Sequence, residues 1–284
     1  MKKIYKRLIV FFIGIPALFF LIMYFPHKNH LTFNLIVVLF SLLGAVEFRK
    51  FLAVKNLNIS IIEAAILGAL IPLAMTLVAS FGFNPDILAL SFFIGASWIL
   101  ASQILLKGEK LDSCVNNVAA GFSVLVYPGL FTGFVIRISV FPNASIFILF
   151  FLFMVFINDS FAWLTGMLLG KNNRGIIPVS PNKSIAGFIG GQVFSILTGI
   201  GGILLFPEIF LTKFSPILTG AIIGFAMGLA ANLGDLSESA LKRSSGMKDS
   251  GAVILGRGGA LDSTDSLIMA APVYFLLCQV LFML

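Results

Sequence analysis

The sequence predicts an all-α, polytopic integral membrane protein, a bundle of about nine transmembrane helices with its N-terminus in the cytoplasm. Of 284 residues, 59% are hydrophobic and 11% charged, with 31 Phe, which leaves too little polar surface to cover a soluble globule of this size. The apolar residues run in long stretches rather than in a period-2 alternation, which excludes an outer-membrane barrel and leaves spanning helices. Basic residues fall almost entirely on alternate joints between those stretches, and such asymmetry sets orientation.

Residues 8–25, 31–48, 61–81, 87–106, 115–135, 146–169, 185–205, 217–233 and 267–284 each come near the 17 to 25 residues that cross about 30 Å of hydrocarbon. The first stretch follows Lys2, Lys3, Lys6 and Arg7 as a signal peptide would, but it is too long and no small-residue cleavage site follows Phe25. It reads as a retained first helix. All but Lys28, Arg137 and Lys213 of the 19 Lys and Arg lie at the N-terminus or in the joints after spans two, four, six and eight. Those joints are expected inside and, with an odd span count, the C-terminus outside. The net charge of +7 is thus topogenic, and no nucleic-acid partner is expected. Cys114 and Cys278, the only cysteines, read as packing residues rather than a disulfide framework or thiolate metal site.

Residues 1–135 read as N-terminal scaffold helices with short polar joints. Glu47 and Glu63 lie near cytoplasmic ends beside Arg49, Lys50 and Lys55, where snorkelling and local pairing account for them. Residues 136–284 carry the chemistry-bearing sequence. Asp159 falls near the middle of the sixth span, in Asn158-Asp159-Ser160. An acid at that depth costs several kcal/mol unless it is paired, hydrated or bound to a cation. Beyond it come Gly166, Gly170-Lys171 and the polar run from Pro178 to Ser184.

Residues 232–265 then interleave Asp235, Glu238, Asp249, Asp262 and Asp265 with Lys242, Arg243, Lys248 and Arg257. If span eight continues as a helix past the membrane surface, Asp235, Glu238 and Lys242 share a face, and Asp262 and Asp265 stand i, i+3 at the start of the last span. Acids and bases in this alternation suit a divalent metal with a polyphosphate, because Mg²⁺ takes one or two carboxylates plus phosphate oxygens and the bases neutralise the remainder. Gly256, Gly258 and Gly259 would let the backbone approach such an anion. Gly170-Lys171 lacks the glycine spacing and following Ser or Thr of a Walker A loop. His27 and His30 fall on the outer side, which removes a Ser/His/Asp reading.

The ordered residues Ser239-Ala240-Leu241-Lys242-Arg243, Lys248-Asp249-Ser250-Gly251, Gly256, Gly258-Gly259, Asp262 and Asp265 resemble the signature of phosphatidate cytidylyltransferases, the CDP-diacylglycerol synthases. Upstream, Asn158-Asp159-Ser160-Phe161-Ala162, Gly166, Gly170-Lys171, Ser180-Pro181-Asn182-Lys183-Ser184 and Gly187 through Gly191 resemble that family's other block. The resemblance spans about residues 150–270, and nine spans fit it. It implies transfer of a cytidylyl group from CTP to phosphatidate, giving CDP-diacylglycerol and pyrophosphate for phospholipid synthesis, at a site facing the cytoplasm from the cell membrane. It also implies Mg²⁺, with room for a second cation, and leaves room for a homodimer. Carried over residue by residue, Asp235 and Asp262 become the first metal ligands, Asp265 and Asp249 support them, and Asp159 is a further metal-site or positioning residue. Lys171, Ser180, Lys183, Lys242, Arg243 and Lys248 would hold nucleotide and lipid phosphates, with Ser239, Arg257, Gly258 and Gly259 completing the substrate-binding set and Lys248 joining the acids in catalysis.

Three positions depart from the family pattern: Arg257 stands where it has His, Ser263 where it has Arg, and Ala186 where it has Glu. Arg257 can replace the cation lost at Ser263 but cannot transfer a proton as His could. Two further readings stand beside the first: a CTP-dependent enzyme acting on another lipid of polyprenol type, and a catalytically silent paralogue that binds lipid or serves as a scaffold. Four clustered acids speak against the silent paralogue, and the three departures for it.

Overall fold

The computed structural model describes residues 10–105, 111–254 and 258–284. These are mostly helical, and the only β structure among them is isolated bridges. After a short π-turn the helices are α1 (Ile15–Tyr24), α2 (His27–Ala53), α3 (Ile61–Phe81), α4 (Asp86–Leu105), α5 (Cys114–Ile138), α6 (Ala144–Leu169), α7 (Ile185–Leu205), α8 (Pro216–Ser244) and α9 (Ala260–Leu281). Eight of them, α2 to α9, are long and apolar enough to cross a membrane. They coincide with eight of the nine expected spans. The first expected span begins among residues 1–9, outside the described residues, and its described part is a short apolar helix over Phe12–Tyr24.

The chain forms two compact units, residues Met1–Val140 with Ser244–Thr264, and Phe141–Arg243 with Asp265–Leu284. In the first unit, α2 and α3 pack so closely that a Cβ on Gly68 would collide with that of Ala45. Ser41 seals the contact: its hydroxyl lies 2.7 Å from the Gly68 carbonyl and 2.5 Å from that of Pro128. Pro128 has no N–H to give and sits in a π-turn over Leu125–Phe131 that interrupts α5. Regular helix in α2 starts after Lys28, Asn29 and His30, three consecutive left-handed residues with φ of 49°, 50° and 59°. The Asn34 side chain helps to hold this turn by donating to the Asn29 carbonyl at 2.8 Å. Ser60 caps α3 by accepting from Glu63 N at 3.1 Å, and left-handed Gly82 ends it.

In the second unit, one end is an aromatic cluster. Tyr274 is fully buried and donates to the Phe147 carbonyl at 2.9 Å, and Phe141 stacks on Phe275 with ring centroids 5.3 Å apart. α7 buries only Gly187, Gly191, Ser195, Gly199 and Ile203, one residue per turn. That narrow seam meets α6 through Gly187 and Gly191, whose Cβ positions would lie 2.6 and 2.8 Å from the Ala162 and Asn158 carbonyls. It meets α8 at Gly224, where a Cβ would lie 2.5 Å from the Ser195 carbonyl, and Ser195 itself donates to the Gly224 carbonyl at 2.8 Å. Backbones brought this close gain dispersion and weak polar contacts that lipid cannot supply.

The seam predicts opposite effects for two glycine substitutions. G224A forces α7 and α8 apart and should cost about 1–3 kcal/mol. G201A, with nothing within 4 Å of its new Cβ, should be neutral or stabilising by up to about 1 kcal/mol through helix propensity. Thermal unfolding in detergent, followed by labelling of buried Cys278, reads both.

Candidate active site

In the second unit, four separate stretches bring charge together. Asp159 projects from α6, Lys183 from the joint before α7, Asp235, Glu238, Ser239 and Lys242 from α8, and Asp265 with Ser266 from α9. α8 runs as one helix to Ser244, as the face shared by Asp235, Glu238 and Lys242 requires. Its length beyond the apolar run places Asp235 and Lys242 where polyphosphate could reach them.

Lys183 Nζ lies 2.5 Å from Asp235 Oδ2, both side chains about one-third exposed, and Ser239 donates to Asp235 Oδ1 at 3.3 Å. Glu238 is wholly buried and ion-paired with Lys242 one turn on. A carboxylate without water needs such a partner. Asp159 and Asp265 both interact electrostatically with Asp235 and with each other, Asp159 also with Lys183 and Asp265 also with Lys242. Asp159 further takes hydrogen bonds from Asn158, at 3.3 Å, and from Ser266. Asp265 Oδ1 accepts from Ser266 N at 2.6 Å. Asn232 ties α8 to α6 by donating to Asn158 Oδ1 at 3.4 Å.

Four carboxylates therefore meet two lysines, and the excess negative charge favours a cation. The donors are hard oxygens, which suit Mg²⁺. Among the described residues no three acids, histidines or cysteines stand close enough to hold a metal by themselves. That is compatible with a cation completed by substrate, since Mg²⁺ commonly takes one or two carboxylates and fills its shell with phosphate oxygens and water.

Asp262 belongs to the first unit, in a separate cluster. Its Oδ2 accepts from Ser250 N at 2.9 Å and from Gly259 N at 2.8 Å. The space over the glycines is occupied by the protein's own side chains: a Cβ on Gly258 would lie 2.6 Å from Asp262 Oδ2, and one on Gly259 would collide with Ser250 Oγ and Glu47 Oε2. Gly258, at φ 113°, holds a conformation closed to other residues. Ile254 and Gly258 exchange two backbone hydrogen bonds, of 2.8 and 3.2 Å. Lys248 and Asp249 are exposed in this unit, as Lys171 and Arg243 are in the other, where Ser180 is half-buried. Arg257 lies outside the described residues. Of the other departures, Ser263 donates to the Gly259 carbonyl at 3.1 Å, and the Ala186 N–H is held by Asn173 Oδ1 at 3.3 Å.

Sequence reasoning misassigned Glu47. Its neighbours do not snorkel with it: Arg49 Nε donates to the Ile59 carbonyl at 2.5 Å and Lys50 Nζ to the Ser250 carbonyl at 3.4 Å. Glu47 is 3% exposed and accepts instead from Ser250 Oγ at 3.0 Å and Leu261 N at 2.9 Å. The available signal was Gly259, which stands at the N-cap of α9 with no side chain to cap it.

Comparison with known proteins agrees with these motifs. Residues 5–281 match the cytidylyltransferase family. A phosphatidate cytidylyltransferase of Staphylococcus saprophyticus is 32% identical over 244 residues, covering 84% of this chain and 88% of that one. One from Staphylococcus haemolyticus is 31% identical over 236 residues, covering 83% and 87%. One from Synechocystis is 37% identical over 117 residues, covering 41% and 38%. With the match running over nearly its whole length, the chain belongs to the cytidylyltransferase family.

Proposed function

We infer that this chain transfers a cytidylyl group from CTP to phosphatidate, giving CDP-diacylglycerol and pyrophosphate. The observation that carries the reading is the meeting of Asp159, Lys183, Asp235, Lys242 and Asp265 from four separate stretches, in a family of cytidylyltransferases. A phosphate oxygen of the lipid attacks the α-phosphorus of CTP, the bond to the β-phosphate breaks, and pyrophosphate leaves. Lys183 and Lys242 bind anionic phosphate oxygens and hold the reactants in line. Lys183 exchanges its Asp235 partner for phosphate, which frees that carboxylate to ligate a cation.

Asp235 with Asp265 or Asp159 would hold Mg²⁺ and leave its other positions to phosphate oxygens, with room for a second cation, and Asp262 keeps the ligand role that the family resemblance carries to it. When bound, the ion supplies charge neutralisation for the transferring and leaving groups. Lys171, Ser180, Ser239 and Arg243 complete the contacts to nucleotide and lipid phosphates in the second unit, and the family resemblance carries phosphate contact to Lys248 with Asp249 in support. The site faces the cytoplasm from the cell membrane, because CTP is cytosolic and the acceptor is at headgroup level, and the N-terminus lies on the same side by the distribution of Lys and Arg. The reading leaves room for a homodimer, which cross-linking in native membranes would reveal.

Purified protein in detergent should move label from α-labelled CTP into phosphatidate, stop when EDTA is added and recover with Mg²⁺. Absence of labelled lipid from folded protein would overturn the reading. D235N should lower turnover by at least about 100-fold while the thermal transition stays in place. K183A should raise the KM for CTP by about 10- to 100-fold, the worth of a charge-assisted contact. For topology, a cysteine at exposed Ala252 should label from the cytoplasm and one at exposed Phe83 from outside.

A further inference from the structure

A helix begins with backbone N–H groups that lack partners in the preceding turn, and a side chain at the N-cap ordinarily takes one of them. α9 begins after Gly259, which has no side chain. Two of its donors are nevertheless satisfied from elsewhere in the chain: Leu261 N donates to Glu47 Oε2 at 2.9 Å and Asp262 N to Ser250 Oγ at 3.3 Å. The two acceptors are themselves joined, since Ser250 Oγ donates to Glu47 Oε2 at 3.0 Å. Asp262 closes the circuit by reaching back to Gly259 N at 2.8 Å and across to Ser250 N at 2.9 Å.

We propose that Glu47 is a positioning residue, the remote cap of α9 that fixes Asp262 and the stretch from Lys248 to Ser250 in place. A buried carboxylate is suited to this work, because the partial positive charge of a helix N-terminus stabilises it and each hydrogen bond to it is charge-assisted. Glycine at 251 and 259 is required by the same contact, since a Cβ at either would collide with the Glu47 carboxylate. Lys50, one turn further along α2, adds a second strap to the Ser250 carbonyl at 3.4 Å. Ser250 is thereby gripped at its hydroxyl, its N–H and its carbonyl, between exposed Lys248 and Asp249 on one side and Asp262 on the other. The inference rests on the reading of Asp262 as a site residue, but the placement itself needs no bound ion.

The test uses the full chain in detergent without metal, as wild type, E47A, E47Q and S250A. Hydrogen exchange at Ser250, Gly259 and Leu261 should speed up by about 10- to 100-fold in E47A, the loss of a buried charge-assisted contact, and by less in S250A. E47Q should stay near wild type, because its carbonyl oxygen can accept both of the bonds that Glu47 Oε2 accepts. In transfer assays, kcat should fall at least about tenfold in E47A while the KM for CTP holds, and E47Q should restore it. Unchanged exchange in E47A and S250A would overturn the proposal. Exchange that rises equally along α2 and α3 would reduce Glu47 to a general packing role, and E47Q as inactive as E47A with a protected segment would overturn positioning. A wild-type protein without transfer activity would sink the functional reading but leave the exchange result to decide the placement.

Discussion

A polar group carried into hydrocarbon has to find its partners within the protein, and the positions of the carboxylates here follow from that requirement. Glu238 is wholly buried and held by Lys242, and Glu47 is held by a hydroxyl and a helix N-terminus. Asp235 keeps Lys183 as its partner while both remain open to exchange. Asp159 and Asp265 have hydrogen-bond donors but also one another as like-charged neighbours. The graded outcome separates structural acids, enclosed and partnered by protein, from acids whose charge calls for something more.

Those acids converge because the helices that carry them are thin where they meet. Ordinary side chains would hold α6, α7 and α8 some 8–10 Å apart at their axes. Glycine at 187, 191 and 224 removes that spacing and sets carbonyls against Cα atoms, which brings the joint before α7, with Lys183, up to Asp235. Ser184 starts α7 immediately after Lys183 by accepting from Gly187 N at 3.0 Å, so one glycine both admits the close approach and completes the cap.

Hydropathy located the spans but not all of their ends. Residues 61–81 and 185–205 agree with α3 and α7 at both ends, because Ser60, Gly82 and Ser184 are local stop and start signals next to the apolar run. α8 and α9 extend well beyond their apolar stretches, to Ser244 and from Ala260, since polar residues such as Glu238 and Lys242 keep a helix going outside hydrocarbon and hydropathy registers only the hydrocarbon. The left-handed turn at Lys28 to His30 and the π-turn at Pro128 likewise have no hydropathic signature. The meeting of Asp159, Asp235 and Asp265 was legible as motifs in order. The joining of Asp262 to Glu47 through Ser250 was not, because the pairing spans over 200 residues of sequence and depends on what a glycine at a helix cap leaves undone.

The one-residue-per-turn seam of α7 has an evolutionary consequence. From Gly187 to Gly199 its buried positions admit only the smallest side chains, whereas Ile185, Ile189, Val193, Leu197 and Leu204 on its other faces are exposed and need only be apolar. Substitutions along this helix are therefore filtered with a four-residue rhythm. Drift can rewrite most of its sequence in the alphabet of lipid-compatible residues while the seam stays fixed, and a lineage could retune the fit of this helix to a thicker or stiffer membrane without disturbing the acids packed behind it.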